Sequence, residues 1–350
     1  MKIQEQLCNW ENMLLAYRNA SRGKRGRQTT ASFEMLLSDN LLELQKELEE
    51  QTYRPGGYTS FYIHEPKKRL ISAAPFRDRV VHHALCNVTV PTFEKWFLPD
   101  SYANQKGKGT HRALDRCTQF ARRFKYVLQC DVKQFFPSID YAVLHETLAG
   151  MLPDQSVMWL IERILASGQG VLSEEYEMVY FAKDDLFALQ RPRGLPIGNL
   201  TSQWWANCYL NPFDHFVKRE LGCRGYLRYV DDFLLFSNDK SELLRWREKV
   251  LKRLERFRLT LHEGSAYPKL VTEGIPFLGF QIFSEHRLLK PRKGYAFRRK
   301  MFHLMKTVSA QRMNESLRGW INHVRFGDTF GLRRSMLGEF GLLAKEQRYD

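Results

Sequence analysis

The stretch Arg228-Tyr229-Val230-Asp231-Asp232-Phe233-Leu234-Leu235-Phe236 constrains this chain more than any other. Two short apolar runs meet at adjacent acids, the pattern of two buried strands joined by a tight turn that carries both carboxylates at its tip. Adjacent ionised acids repel each other, so the end of an apolar strand tolerates them only where water or a cation compensates. Magnesium suits such a pair, because it takes hard oxygen ligands, usually one or two carboxylates together with substrate phosphates. A solvated turn is the plain alternative for these few letters, Asp being a common turn residue.

A second stretch changes the balance. Tyr126-Val127-Leu128-Gln129-Cys130-Asp131 reads as a buried strand ending in an acid, and Pro137 and Ser138 close the segment before a helix that begins near Tyr141. A third carboxylate can therefore lie beside the first two on a neighbouring strand. The chain carries 54 Lys and Arg against 39 Asp and Glu, a net charge of +15. Such an excess points to a polyanionic partner, and three carboxylates at strand ends then suggest a two-metal site acting on nucleic acid.

With these residues in view, Tyr229-Val230-Asp231-Asp232 and the block 131–140 resemble the palm of reverse transcriptases, which are RNA-directed DNA polymerases. The resemblance implies a right-hand fold of class α/β, with an α+β palm, fingers and a small helical thumb. It implies two Mg²⁺ ions held by Asp131 and Asp231, with Asp232 beside them and the Val132 carbonyl as a further ligand. Template RNA, primer or cDNA, and deoxynucleoside triphosphates are the partners expected on the same grounds. The boundaries read 1–125 for N-terminal helices and fingers, 126–140 for the first catalytic strand, 141–193 for helices and an insertion, 194–285 for the remaining palm and 286–350 for a basic thumb.

Further blocks follow in order. Lys67 and Arg69, on a cationic hairpin after Phe61-Tyr62-Ile63, match the positions that hold the incoming nucleotide in the family. Taken alone, that hairpin reads as solvated. Arg77-Asp78-Arg79 opens a helix in which His82 and His83 are expected to pack rather than chelate. The loop 102–111, rich in Gly and Lys, opens another helix and suits a template phosphate. Phe136 matches the aromatic residue that lies beneath the incoming sugar and excludes a 2′-hydroxyl; otherwise it is a core Phe. Asp140 falls outside the metal position and is expected to cap the following helix.

In Gly194-Leu195-Pro196-Ile197-Gly198-Asn199-Leu200-Thr201-Ser202-Gln203, Ile197-Gly198 stands where most of the family has Gln-Gly, and Ser202-Gln203 where most has Ser-Pro. This variant resembles the enzymes of diversity-generating retroelements. An aliphatic side chain beside the forming base pair offers shape but no hydrogen bond, so low fidelity is expected. That role implies a structured template RNA and a small basic accessory protein oligomer. A bacterial defence enzyme copying its own non-coding RNA, or an inactive RNA-binding relative, are the alternatives.

Lys269 is the expected proton donor to pyrophosphate, with His262 second. Residues 275–283 read as a primer-grip strand. Lys290, Arg292, Lys293, Arg298, Arg299 and Lys300 fall within eleven residues and are expected to track the duplex by its phosphates, from helices near 296–309 and 314–343. Residues 1–20 read as a helix with Leu7, Trp10, Leu14, Leu15 and Tyr17 near helical spacing, a basic loop follows at 22–27, and Ser32 is expected to cap the next helix. Residues 167–193 look like a surface insertion. No apolar run approaches a membrane span and Met1 to Asn9 is polar, so a cytoplasmic protein with no membrane partner is expected. The six cysteines form no CxxC pair and read as buried thiols.

Overall fold

In the computed structural model, which describes residues 3–64, 68–182 and 184–340, the fingers open with a hairpin. Strands β1 (Thr59–Ile63) and β2 (Arg69–Ala73) pair antiparallel there, with Ile63 opposite Arg69. Lys67 lies outside the described residues.

A four-stranded sheet carries the two acidic stretches. Its strands are β3 (Tyr126–Asp131), β4 (Gly225–Tyr229), β5 (Asp232–Ser237) and β6 (Pro268–Leu270), in the order β4-β5-β3-β6. Side chains alternate across it as the strand period requires. Leu128, Cys130, Tyr226, Phe233 and Leu235 enter one core, where Tyr209 and Phe213 of the Leu200–His215 helix and Trp246, Val250 and Leu254 of the Lys240–Arg256 helix meet them. Val127, Leu227, Leu234 and Phe236 enter the other. They pack on Ala113, Leu114, Cys117 and Phe120 of the Thr110–Arg123 helix. Both faces are thus covered, which explains why these strands read as nearly continuous apolar runs.

A three-stranded sheet of β7 (Ile275–Phe277), β8 (Phe280–Ile282) and β9 (Arg287–Leu289) extends the second core through Ile275, Phe277, Phe280 and Ile282. The stretch expected to be one primer-grip strand is therefore a hairpin. Leu278 (φ 46°) and Gly279 (φ 92°) make its two-residue turn with both residues left-handed, the geometry that matches strand twist and favours Gly. The thumb is three helices, Pro291–Thr307, Ala310–Val324 and Phe330–Glu339, rather than two. Their small core stacks Phe297 on Trp320 with ring centroids 4.4 Å apart.

At the N-terminus the one helix expected is divided into Ile3–Leu7 and Trp10–Ser21; the second turns Met13, Ala16, Tyr17 and Ala20 inward, Leu7 is buried and Leu14 packs on the core, while Trp10 and Leu15 are exposed. Ser32 lies inside the helix Gln28–Met35 and caps nothing; a second helix, Leu37–Glu49, buries Leu41, Leu44 and Leu48. Asp140 caps Tyr141–Met151 as expected, accepting from the Ala142 and Val143 amides at 3.0 and 3.1 Å. All six cysteines are buried thiols.

The segment read as a surface insertion is fastened down instead. Arg258 grips Asp184 with two bonds of 2.6 and 2.8 Å, and Arg191 grips Asp140 at 2.7 and 2.9 Å. The Arg258 guanidinium holds the Asp184 carboxyl down at about 2. Tyr62 of the fingers hairpin donates to Glu175 at 2.8 Å, and Lys133 pairs with Glu177. Residues 173–182 and 184–193 thus form a strap that joins fingers to palm.

Candidate active site

The antiparallel register of β3 and β5 places Asp131 directly opposite Asp232. Such partners lie about 4.5–5.5 Å apart at Cα and project to the same face. Tyr229 is the partner of Asp232 on β4, so Val230 and Asp231 alone make the hairpin turn. The Val132 amide donates to the Asp231 carbonyl at 3.3 Å and brings the end of β3 against the turn. The sheet therefore gathers Asp131, Val132, Asp231 and Asp232 at one end.

The turn is strained. Val230 sits at φ +58°, a conformation that a β-branched residue adopts only under tertiary constraint, at a cost of about 1–3 kcal/mol. The constraint comes from Arg228, which is fully buried beneath it on the opposite face of the sheet. Its Nη1 donates to the Val230 carbonyl at 2.9 Å and to Asn207 Oδ1 at 3.1 Å, while Nε and Nη2 each meet Asp214 at 2.7 Å. The Tyr226 hydroxyl adds a third bond to Asp214, at 2.6 Å. On the near side, the Tyr229 hydroxyl lies 3.1 Å from that of Thr110.

Asp232 differs from its neighbours. Its carboxylate faces Gln129, whose Nε2 lies 3.2 and 3.4 Å from the two oxygens. Burial, with the charges of Asp131 and Asp231 added, pushes its carboxyl up to about 7, while Gln129 and Lys290 act in the opposite direction. Burial likewise lowers the Lys290 ammonium, an effect that Asp232 offsets.

Among the described residues, no set of three or more His, Cys, Asp or Glu side chains converges as a metal cage. Magnesium does not require one, since it commonly takes one or two carboxylates and completes its shell with water and substrate oxygens. The all-oxygen donor set of Asp131, Asp231 and the Val132 carbonyl, gathered at one end of the sheet, fits such an ion.

Residues 63–282 match the family described as reverse transcriptase (RNA-dependent DNA polymerase), a span of more than half the chain. The chain belongs to the reverse transcriptase family. Among curated relatives of this reverse transcriptase, the group II intron-encoded protein LtrA of Lactococcus lactis subsp. cremoris is 22% identical over 182 residues, which cover 51% of this chain and 28% of that protein. Nuclear intron maturase 2, mitochondrial, of Arabidopsis thaliana is 23% identical over 182 residues, covering 47% and 25%. The chain thus spans little more than a quarter of the length of these relatives. In fold it is similar to the telomerase of Candida albicans in complex with a TWJ fragment of telomeric RNA, with a TM-score of 0.50 at 13% identity over 85% of this chain and 55% of that one. The corresponding telomerase complex from Candida Tropicalis gives a TM-score of 0.50 at 10% identity, over 91% and 59%. A right-hand polymerase fold accounts for the order of hairpin, palm sheet and helical thumb.

Other expected residues are placed unevenly. Phe136 is partly buried in the short helical turn Phe135–Ser138, edge-on to Phe135 at 5.5 Å. Arg69 closes the fingers hairpin at the start of β2. The Ile197 carbonyl accepts from Ser72 of β2 at 2.8 Å, and Gly198 (φ +117°) lies so close that a Cβ there would fall 2.9 Å from Ile71 Cγ2. Lys269 is not brought to the carboxylates. It pairs with Val127 on the exposed edge strand β6, four residues before Asp131, about 13 Å away along the strand at roughly 3.3 Å per residue. His262 is nearer, its amide donating to the Asp131 carbonyl at 3.0 Å. In the thumb, Arg292, Lys293, Arg299 and Lys300 are exposed, whereas Arg298 is tied to Glu339 at 2.6 Å and is not a free phosphate ligand. In the loop 102–111, the Lys108 ammonium is taken up by the Leu98 and Ser101 carbonyls at 3.1 and 2.7 Å.

Sequence reasoning missed Arg228, Asp214, Asn199 and Gln129. Asn199 is buried and joins the 196–198 turn to the fingers, donating to the Ser72 and Pro196 carbonyls and accepting from the Ala74 amide. Arg228, Asp214 and Gln129 share one signal, a polar residue inside a buried helix or strand, which burial permits only when its partners are built in; Asn199 lies in the turn just before the Leu200–His215 helix.

Proposed function

We propose that this protein synthesises DNA on an RNA template, using Asp131 and Asp231 to hold Mg²⁺ and the Val132 carbonyl to complete the protein's share of the ligands. The observation that carries this reading is the cross-strand juxtaposition of Asp131 and Asp232 beside the strained turn that presents Asp231. Bound Mg²⁺ supplies Lewis-acid activation of the primer hydroxyl and neutralises charge on the phosphates. The chain itself positions: Arg228 fixes the turn, the fingers hairpin carries Arg69 toward the incoming triphosphate, and Phe136 borders the sugar. His262 replaces Lys269 as the better-placed proton donor to pyrophosphate. The exposed thumb cations follow the duplex through its phosphates.

The finer reading is a mutagenic enzyme of a diversity-generating retroelement, supported by Ile197-Gly198 and Ser202-Gln203. Its partners are then a structured template RNA and a small basic accessory protein. Sequencing the DNA made in cells that express the protein with its neighbouring RNA locus tests this, with Asp231→Asn/Asp232→Asn as control. DNA copied from a repeat, with errors concentrated at template adenines, is the expected product. Accurate copies of one fixed RNA point instead to defence, and identical DNA from wild type and control removes the polymerase reading.

A further inference from the structure

Gln129 lies two residues before Asp131 on β3 and so projects to the same face of the sheet, diagonal to Asp232 on β5. Its amide has two N–H groups. One is directed at the Asp232 carboxylate, at 3.2 and 3.4 Å, and the other at the Pro276 carbonyl of β7, at 3.0 Å. A single side chain thus bridges the catalytic sheet and the β7–β8 hairpin.

A second group that acts on Asp232, the Lys290 ammonium, belongs to a residue fastened to the same hairpin. Lys290 lies close enough for its ammonium and the Asp232 carboxylate to act on each other, and its backbone amide donates to the Gly279 carbonyl of the hairpin turn at 3.1 Å. Both cooperating groups are therefore bonded to one hairpin, Gln129 from β3 through its side chain and Lys290 through its backbone amide. Gly327 clamps that element from the thumb side, with no room for a Cβ against Phe280 of β8. A displacement of the hairpin cannot leave Asp232 undisturbed.

We propose that Gln129, seconded by Lys290, is a positioning residue that couples the β7–β8 hairpin to the Asp232 carboxylate, so that a primer end seated against the hairpin sets the carboxylate for nucleotide addition. This rests on the polymerase reading above. Asp232 is thereby given a role distinct from Asp131 and Asp231: it is oriented by protein donors on one side and adjusts the site when the primer is in place. Without the Gln129 bond, the carboxylate loses the side-chain donor that fixes its orientation relative to the hairpin.

The test uses the full chain and Gln129→Met, which keeps the length of the side chain and removes both donors. Single-turnover addition of one deoxynucleotide to a preformed primer–template separates the maximal rate from the nucleotide Kd. Mn²⁺ binding, followed by electron paramagnetic resonance with and without primer–template, reads the coupling apart from turnover. In wild type, primer–template is expected to tighten Mn²⁺ binding. In Gln129→Met that tightening should vanish and the maximal rate should fall about tenfold or more, the scale of a small misplacement of a reacting group. The Kd values for nucleotide and primer–template should stay within about twofold. If Gln129→Met melts well below wild type, the same measurements are made on Gln129→Asn, whose shorter amide cannot reach both partners, and the same losses are expected. Unchanged Mn²⁺ coupling in a folded variant, or an equal loss of primer–template affinity, overturns the proposal. A wild-type protein that neither binds nor extends primer–template overturns the polymerase reading itself.

Discussion

Replacing Asp214 by Asn should destabilise this protein more than any change at the acidic turn itself. Arg228 and Asp214 have no exposed side-chain surface, and two 2.7 Å bonds join them. Asn is nearly isosteric, but it leaves the guanidinium charge buried without a counter-charge and turns an NH₂ donor toward N–H and O–H groups that formerly faced an acceptor. Breaking one side of a buried pair costs about 3–5 kcal/mol. That is a large fraction of the ~5–15 kcal/mol by which a folded chain exceeds its unfolded state. The paired replacement Arg228→Met/Asp214→Leu should recover most of the loss, because no orphaned charge remains. It still removes the donor to the Val230 carbonyl, so the left-handed turn loses its support and nucleotide addition should stay impaired. Urea unfolding midpoints with m-values give the stabilities, and primer extension gives the activity. A folded Asp214→Asn protein within about 1 kcal/mol of wild type refutes the reasoning about the buried pair. Full activity in the double variant refutes the role of Arg228 in holding the turn.

Three further outcomes are expected. In metal-free buffer Asp232 keeps its proton up to about pH 7 when folded, against a usual value of 3.8, so the folded state binds more protons between those limits and stability falls as pH rises across them. Asp232→Asn should remove that fall, which amounts to up to about 4 kcal/mol, and be the more stable protein at pH 8 while matching wild type near pH 4; equal urea midpoints at pH 8 would contradict it. Asn199→Ala should free the fingers hairpin by deleting three bonds, two donated and one accepted, and raise amide exchange across 59–73 without changing it in β3 to β5. In primer–template binding, removing Arg299 or Lys300 should lower the salt slope by about 1 each. Arg298→Ala should leave the slope nearly unchanged, because Glu339 already holds that guanidinium.

The palm was legible because its strands bury both faces, so each appears as an apolar run ending in an acid, and Asp140 announced its helix by capping it. Lys269 was misplaced because strand register is invisible in a loop-rich stretch: the pairing of Val127 with Lys269 follows from the edge strand's docking and not from local spacing. The primer-grip hairpin was read as one strand because Leu278 hides a left-handed turn that a Gly-Gly or Asn-Gly pair would have shown. Arg298 looked like its basic neighbours, and only its meeting with Glu339, 41 residues away, separates it from them. Gln129 carried no signal beyond being polar within a buried strand, since its two partners come from distant segments.

The central claim is that the acids at the strand ends carry RNA-templated DNA synthesis. It is tested most directly by extending a DNA primer on an RNA template with purified wild type and Asp231→Asn in the presence of Mg²⁺, after fluorescence anisotropy has shown that both bind the primer–template. Extension by wild type alone, with binding equal in the two, is the expected result. Extension by Asp231→Asn at the wild-type rate, or none by a wild-type protein that binds the primer–template, would contradict it.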